Sequence, residues 1–208
     1  MEIASGDDLT LDAGQQIAAG QQLTLNAAGL TNHGELSSQG ATQITLTGAL
    51  TNGSDGLISG QNTVLKAQTI TNQGQLQALN DLGLTAEALV NTGALVALHD
   101  LTVHSADTLT TRGNLSAGRD AQLFADHLTV SGQVTSGHNL LIAKDANQTR
   151  STSLTQSGNL EAGGDLEIAT QSNMTLAAGD RFAAGNNLTL DAASLTNDGE
   201  LSSRDSPN

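Results

Sequence analysis

Three aspartates, Asp81, Asp100 and Asp120, recur at steps of 19 and 20 residues, each directly before an apolar residue. Stacked carboxylates repel one another, so such a column needs solvent, a cation or neighbouring positive charge. Oxygen ligands of this type suit a hard cation such as Ca²⁺. His99, Arg119 and His138 stand in the adjoining column and offer positive charge instead. The glycine-rich Ca²⁺ nonapeptide, Gly-Gly-x-Gly-x-Asp, is absent. A solvated turn is the expectation, with no resident metal. The histidines, His33, His99, His104, His127 and His138, form neither HExxH nor a close pair of transition-metal type. They are expected on turns and outward faces, and no cofactor is called for.

Catalysis finds little material. Glycoside cleavage needs a converging carboxylate pair, and a lyase needs a base with cations beside it. Sugar-cleaving grooves also use aromatic rings, and this chain has only Phe124 and Phe182. An enzyme is not expected. Two features read as places a partner could touch. Phe124 falls in an outward column with Lys66, His104 and Asp191, and is expected to be exposed near His104 and His127. The polar stretch 144–153 shows no alternation and carries Lys144, Asp145, Asn147 and Arg150. It reads as a loop protruding from a regular scaffold, where binding residues often sit.

Charge removes other classes. Seven Lys and Arg stand against 21 Asp and Glu, a net charge of −14. Phosphate neutralisation needs clustered cations, so nucleic acid is not an expected partner. An acidic surface also disfavours anionic lipid. No apolar run approaches the ~18 residues of a membrane span. There is no cysteine, hence no disulfide or thiolate chemistry. Met1-Glu2-Ile3-Ala4-Ser5 has no basic region and no apolar core of a signal peptide.

The elements that position these residues are repeats. One motif, Leu/Ile-Thr-Asn-x-Gly, occurs at residues 30–34, 70–74 and 195–199, with looser copies from Leu50, Leu89, Leu109, Leu128 and Leu154. A second, Ala/Ser-Gly-x-Asp/Asn/Gln-Leu-x-Leu/Ile, occurs at 5–11, 19–25, 162–168 and 184–190. Anchors at Gly6, Gly20, Gly40, Gly60, Leu79, Leu98, Gly118, Gly137, Gly163 and Gly185 are spaced 14, 20, 20, 19, 19, 20, 19, 26 and 22 residues apart. Each unit holds three short alternating segments cut by Gly and Asn, which is a strand signal. The period is too short for a βαβ unit of ~30 residues. A leucine-rich repeat would need a second apolar pattern, which is missing.

The predicted fold is therefore an all-β parallel β-helix of about ten rungs and ~20 residues per rung, stacked at the ~4.8 Å strand spacing. Inward columns are expected at Leu11, Leu25, Leu46, Leu65, Leu84, Val103, Leu123, Ile142, Ile168 and Leu190; at Leu30, Leu50, Ile70, Leu89, Leu109, Leu128, Leu154, Met174 and Leu195; and at Leu36, Leu76, Leu95, Leu115, Val134, Leu160 and Leu201. The first unit, from Gly6 to Gly20, reads as lacking its Leu-Thr-Asn strand. Asn32, Asn52, Asn72 and Asn91 form an expected amide ladder at one corner, tolerant of left-handed backbone. Thr31, Thr51, Thr71, Thr110, Thr129, Thr155, Thr175 and Thr196 form an outward rank. Ice binding, the other use of Thr ranks, is disfavoured because the second rank is broken by Val64, Gly83, Gln122, Leu141 and Glu167.

The tandem Leu-Thr-Asn-x-Gly and Ala-Gly-x-Asn-Leu-Thr-Leu units, over about residues 3 to 203, resemble the haemagglutinin repeats of filamentous haemagglutinin-type exoproteins. Those include large adhesins and contact-dependent growth-inhibition proteins of Gram-negative bacteria. The resemblance implies a right-handed β-helix, a secreted protein at the bacterial surface, and export through an outer-membrane partner transporter. It also implies an extended stalk whose full-length protein meets a receptor on a host or bacterial cell. Residues 1–208 read as one repeat segment, an internal piece of a longer exoprotein.

Overall fold

In the computed structural model, the structure describes residues 1–204. Among them there is no helix, and so none long and apolar enough to cross a membrane. The strands are parallel and wind about ten turns of a β-solenoid. Each turn carries up to three strands. On the first face lie strands such as Leu23–Ala27 and Thr42–Leu46, on the second Leu30–Asn32 and Ala49–Asn52, and on the third Glu35–Ser38 and Leu57–Gly60. The third face is a continuous ten-stranded sheet. Two long strands, Leu82–Asn91 and Leu101–Thr111, run round the corner from the first face to the second, with a register shift between Ala86 and Ala88.

Alternation explains the core. In a strand of period two, every second side chain points inward. On the first face the register aligns Ile3, Leu25, Ile44, Leu65, Leu84, Val103, Leu123, Ile142, Ile168 and Leu190. The second aligns Leu9, Leu30, Leu50, Ile70, Leu89, Leu109, Leu128 and Leu154, then Met174 with Leu195. The third runs Ile17, Leu36, Ile58, Leu76, Leu95, Leu115, Val134, Leu160, Phe182 and Leu201. All but Leu195 belong to one hydrophobic core; Leu195, expected inward, is 41% exposed in the last turn, although it is in register with Met174. Each fully buried Leu or Ile contributes about 1.5–3 kcal/mol against exposure.

Three expectations are corrected. Leu46 is not in the first column; Ile44 pairs with Leu25, and Leu46 with Ala27. Leu11 pairs with Asn32, and Leu9-Thr10-Leu11 is the second-face strand of the first turn. That turn therefore does not lack its Leu-Thr-Asn strand, because Leu11 stands where Asn follows in later turns. The cause is common to all three. A Leu-x-Leu pattern is unchanged by a shift of two, so alternation alone leaves the column undecided.

Glycine has a role that turn chemistry alone does not explain. A Cβ on Gly93 would lie 2.1 Å from the Gly74 carbonyl oxygen, on Gly113 1.9 Å from that of Gly93, and on Gly132 2.0 Å from that of Gly113. A second stack, Gly118, Gly137, Gly163 and Gly185, is equally tight. None of these seven has positive φ. They are glycine because one turn lies directly against the next, leaving no room for a side chain.

Candidate functional site

The acidic corner is a backbone-reading ladder. The Asp81 Oδ1 accepts from the Asp100 N–H at 3.3 Å, the Asp100 Oδ1 from the Asp120 N–H at 3.2 Å, and the Asp120 Oδ1 from the Asn139 N–H at 3.0 Å. The series begins one turn earlier at Asn62 and continues through Asn139, Asp165 and Asn187. The sequence signal was an Asp or Asn directly before the first-face strand, followed by Leu in most turns but by Thr63 after Asn62 and Ala121 after Asp120; Asn62, Asn139, Asp165 and Asn187 extend the three aspartates. Arg119 donates to Asp100 through Nε at 2.8 Å and through a second guanidinium nitrogen. It also lies 3.5 Å from Asp120, and His138 Nδ1 meets Asp120 Oδ1 at 3.0 Å. The Arg119 hydrogen bond holds the Asp100 carboxyl below its ordinary value of 3.8, against desolvation that raises it. Among the described residues no group of three or more His, Asp or Glu gathers as a metal cage.

The asparagine ladder is internal. Asn32, Asn52, Asn72 and Asn91 are fully buried. Each Nδ2 donates to the next Oδ1 at 2.8 Å, and the Asn91 Nδ2 ends on the Thr111 hydroxyl at 3.2 Å. Left-handed backbone, expected as a reason for Asn, is not used. Among the described non-glycine residues only Gln148 has positive φ, at 60°. The threonine rank on the second face is in register from Thr10 to Thr155, interrupted by Val90.

Stretch 144–153 does not stand away from the rod. It folds back along it as a strap. Lys144 Nζ reaches Asp126 at 3.1 Å in the turn before, where the Thr152 hydroxyl also donates at 2.7 Å. Gln148 donates to Glu167 at 2.9 Å in the turn after. Arg150 donates to the Thr170 carbonyl at 3.0 Å and pairs with Asp191 at 2.9 Å, one turn further. Ser151 forms a parallel bridge with Thr170. Within the strap, Asp145 Oδ1 accepts from the N–H of Asn147 at 2.9 Å and of Thr149 at 3.3 Å. The Thr149 side chain, the largest influence, keeps the Asp145 carboxyl below 3.8. Hydrogen bonds from Thr152 and Lys144 do the same for Asp126.

Phe124 is not exposed. It is 5% accessible and clusters outside the main core with Ala143 and Ala169, against Leu141. His104 meets its ring edge-on at 6.4 Å between centroids. Its neighbour in register in the next turn is the small Ala143, and alternation alone did not reveal this cover. Of the five candidate contact residues, Lys144 and Asn147 are exposed, Asp145 and Arg150 are half-buried, and Phe124 is covered. A shallow groove of about 290 Å³ runs beside the strap, lined by Asp120, Gln122, Asn139, Gln148, Asp165 and Glu167 among others. The five histidines are all exposed, as expected.

Comparison with known proteins agrees with this geometry. A family model described as the haemagglutinin repeat matches residues 3–54, 58–145 and 128–206. Searches of curated proteins and of solved structures gave no match. With three matched segments covering nearly all its turns, the chain belongs to the haemagglutinin repeat family.

Proposed function

We propose that this chain is a shaft segment of a secreted, cell-surface adhesin or contact-dependent growth-inhibition exoprotein. It acts as a rigid spacer that carries a distal binding or toxic domain away from the cell. The observation that carries the reading is the unbroken parallel stacking of the third face over ten strands. Every turn is held to its neighbours by backbone bonds and by the inward columns, so bending would strain many bonds together. The haemagglutinin repeat family is a structural and adhesin family, and this chain's role needs no catalytic group. Its partners on this reading are an outer-membrane transporter during export and a receptor met by the full-length protein.

A second reading draws on the strap. A loop pinned at Asp126, Glu167, Thr170 and Asp191 presents Lys144 and Asn147 in fixed positions. Such a loop suits direct adhesion to a glycan or receptor. Binding of the fluorescently labelled chain to bacterial and epithelial cells separates the two. The spacer reading expects no saturable binding by chain with β-rich circular dichroism. Saturable binding abolished by Lys144→Ala with Asn147→Ala would make the segment an adhesive module.

A further inference from the structure

We propose that Asn52 is a self-modification site that folding keeps silent. Asn52-Gly53 is the one Asn-Gly step in the sequence. In a flexible chain the Gly53 backbone nitrogen can attack the Asn52 Cγ. The new C–N bond closes a five-membered succinimide, the side-chain amide leaves as ammonia, and the attacking N–H proton passes to solvent base. Water then opens the ring at either carbonyl, giving aspartate or isoaspartate. Glycine, lacking Cβ, leaves its nitrogen unobstructed and its backbone free to reach the required conformation. Water is the only other reactant.

The fold withholds each participant. The Gly53 N–H donates to the Asn32 carbonyl at 2.8 Å. Asn52 closes the strand Ala49–Asn52, in register with Asn32 and Asn72, so its backbone is fixed in an extended state. The leaving amide is held by three acceptors: Asn72 Oδ1 at 2.8 Å, the Gly56 carbonyl at 3.0 Å and the Gln75 carbonyl at 3.3 Å. The side-chain oxygen accepts from Asn32 at 2.8 Å. The residue is fully buried, which excludes the base that the step requires.

Reaction in the unfolded chain would be hard to undo by folding. An aspartate at 52 turns a donor into an acceptor facing those three oxygens, and it buries a charge. An isoaspartate lengthens the backbone within a strand whose register sets the core. A molecule that lingers unfolded thus loses its ability to close the ladder. This holds whether the chain is a spacer or an adhesive module.

The test incubates the full chain at mildly alkaline pH, folded in buffer and unfolded in urea. The tryptic fragment Met1–Lys66 is followed by mass spectrometry, and isoaspartate by enzymatic methylation. Amide loss at Asn52 is expected to be roughly tenfold or more slower in the folded arm, because the folded chain reacts only through locally open states. Gly53→Ala is expected to slow the urea arm; in the folded state its Cβ first meets the exposed His33 side chain. Modified chain diluted from urea is expected not to recover its β-rich spectrum. Equal rates in the two arms, amide loss centred on another asparagine, or refolding of the modified chain with an unchanged midpoint would each overturn the proposal.

Discussion

Asn32 Nδ2 donates to Asn52 Oδ1 across 2.8 Å, twenty residues apart in sequence and one turn apart in space, with both side chains fully buried. This contact repeats to Asn91 and so threads four amides along the inside of the rod. A buried amide without its partner is costly, so the ladder specifies register as well as adding stability.

Breaking the ladder in its middle tests this. Asn72→Ala removes the donor to Asn91 Oδ1 and the acceptor for Asn52 Nδ2. Asn52 keeps the Gly56 and Gln75 carbonyls, so the main orphan is the Asn91 oxygen. Urea unfolding is expected to show a loss of ~1–3 kcal/mol, the usual cost of a buried unsatisfied polar group.

Two glycine substitutions should act in opposite directions. Gly113→Ala places a Cβ 1.9 Å from the Gly93 carbonyl oxygen, and is expected to cost ~1–3 kcal/mol by overpacking. Gly83→Ala meets nothing within 4 Å at a position without positive φ. It is expected to stabilise by ~0.4–1 kcal/mol through the unfolded state. Paired thermal or urea midpoints check both.

The columns were legible because leucines at ~20-residue intervals mark both the strand and its inward side. Ile3, Ile17, Ile44, Ile58 and Phe182 escaped because they fall outside the copies of the two motifs. Pairing that joins turns a whole period apart, not motif spacing, assigns each to its column. The strap was legible as an insertion but not as a strap. Its polar residues read as solvent-loving, and their partners, Asp126, Glu167 and Asp191, lie 18 or more residues away from the residues they hold. Phe124 looked exposed because alternation gives the direction of a side chain and not what lies over it.

The strap should therefore contribute to stability. Deleting residues 145–152 removes the ties to Glu167, Thr170, Asp191 and, through Thr152, Asp126. The thermal midpoint is expected to fall. Arg150→Ala alone is expected to cost no more than about 1 kcal/mol, since its ion pair with Asp191 is largely exposed. A deletion variant as stable as the parent would return the segment to a free loop.

Acid sensitivity has a definite sign. Asp100, Asp126 and Asp145 have carboxyls held below 3.8 in the folded chain. Depressed folded values mean that the unfolded chain takes up protons first as pH falls. Their contribution is complete above the ordinary value of 3.8 and is lost as pH drops through the lower folded values. Urea midpoints for these groups should be flat from neutral to mildly acidic pH and fall below about pH 4. Arg119→Ala is expected to flatten part of that fall by releasing Asp100.

Small-angle X-ray scattering of the monomeric chain tests the rod itself most directly. Ten turns at the ~4.8 Å strand spacing predict a particle on the order of 50 Å long with a uniform narrow cross-section. Its scattering should show a distinct cross-sectional regime beside the overall one. A near-spherical particle, or the dimensions of an expanded coil, would contradict the stiff shaft.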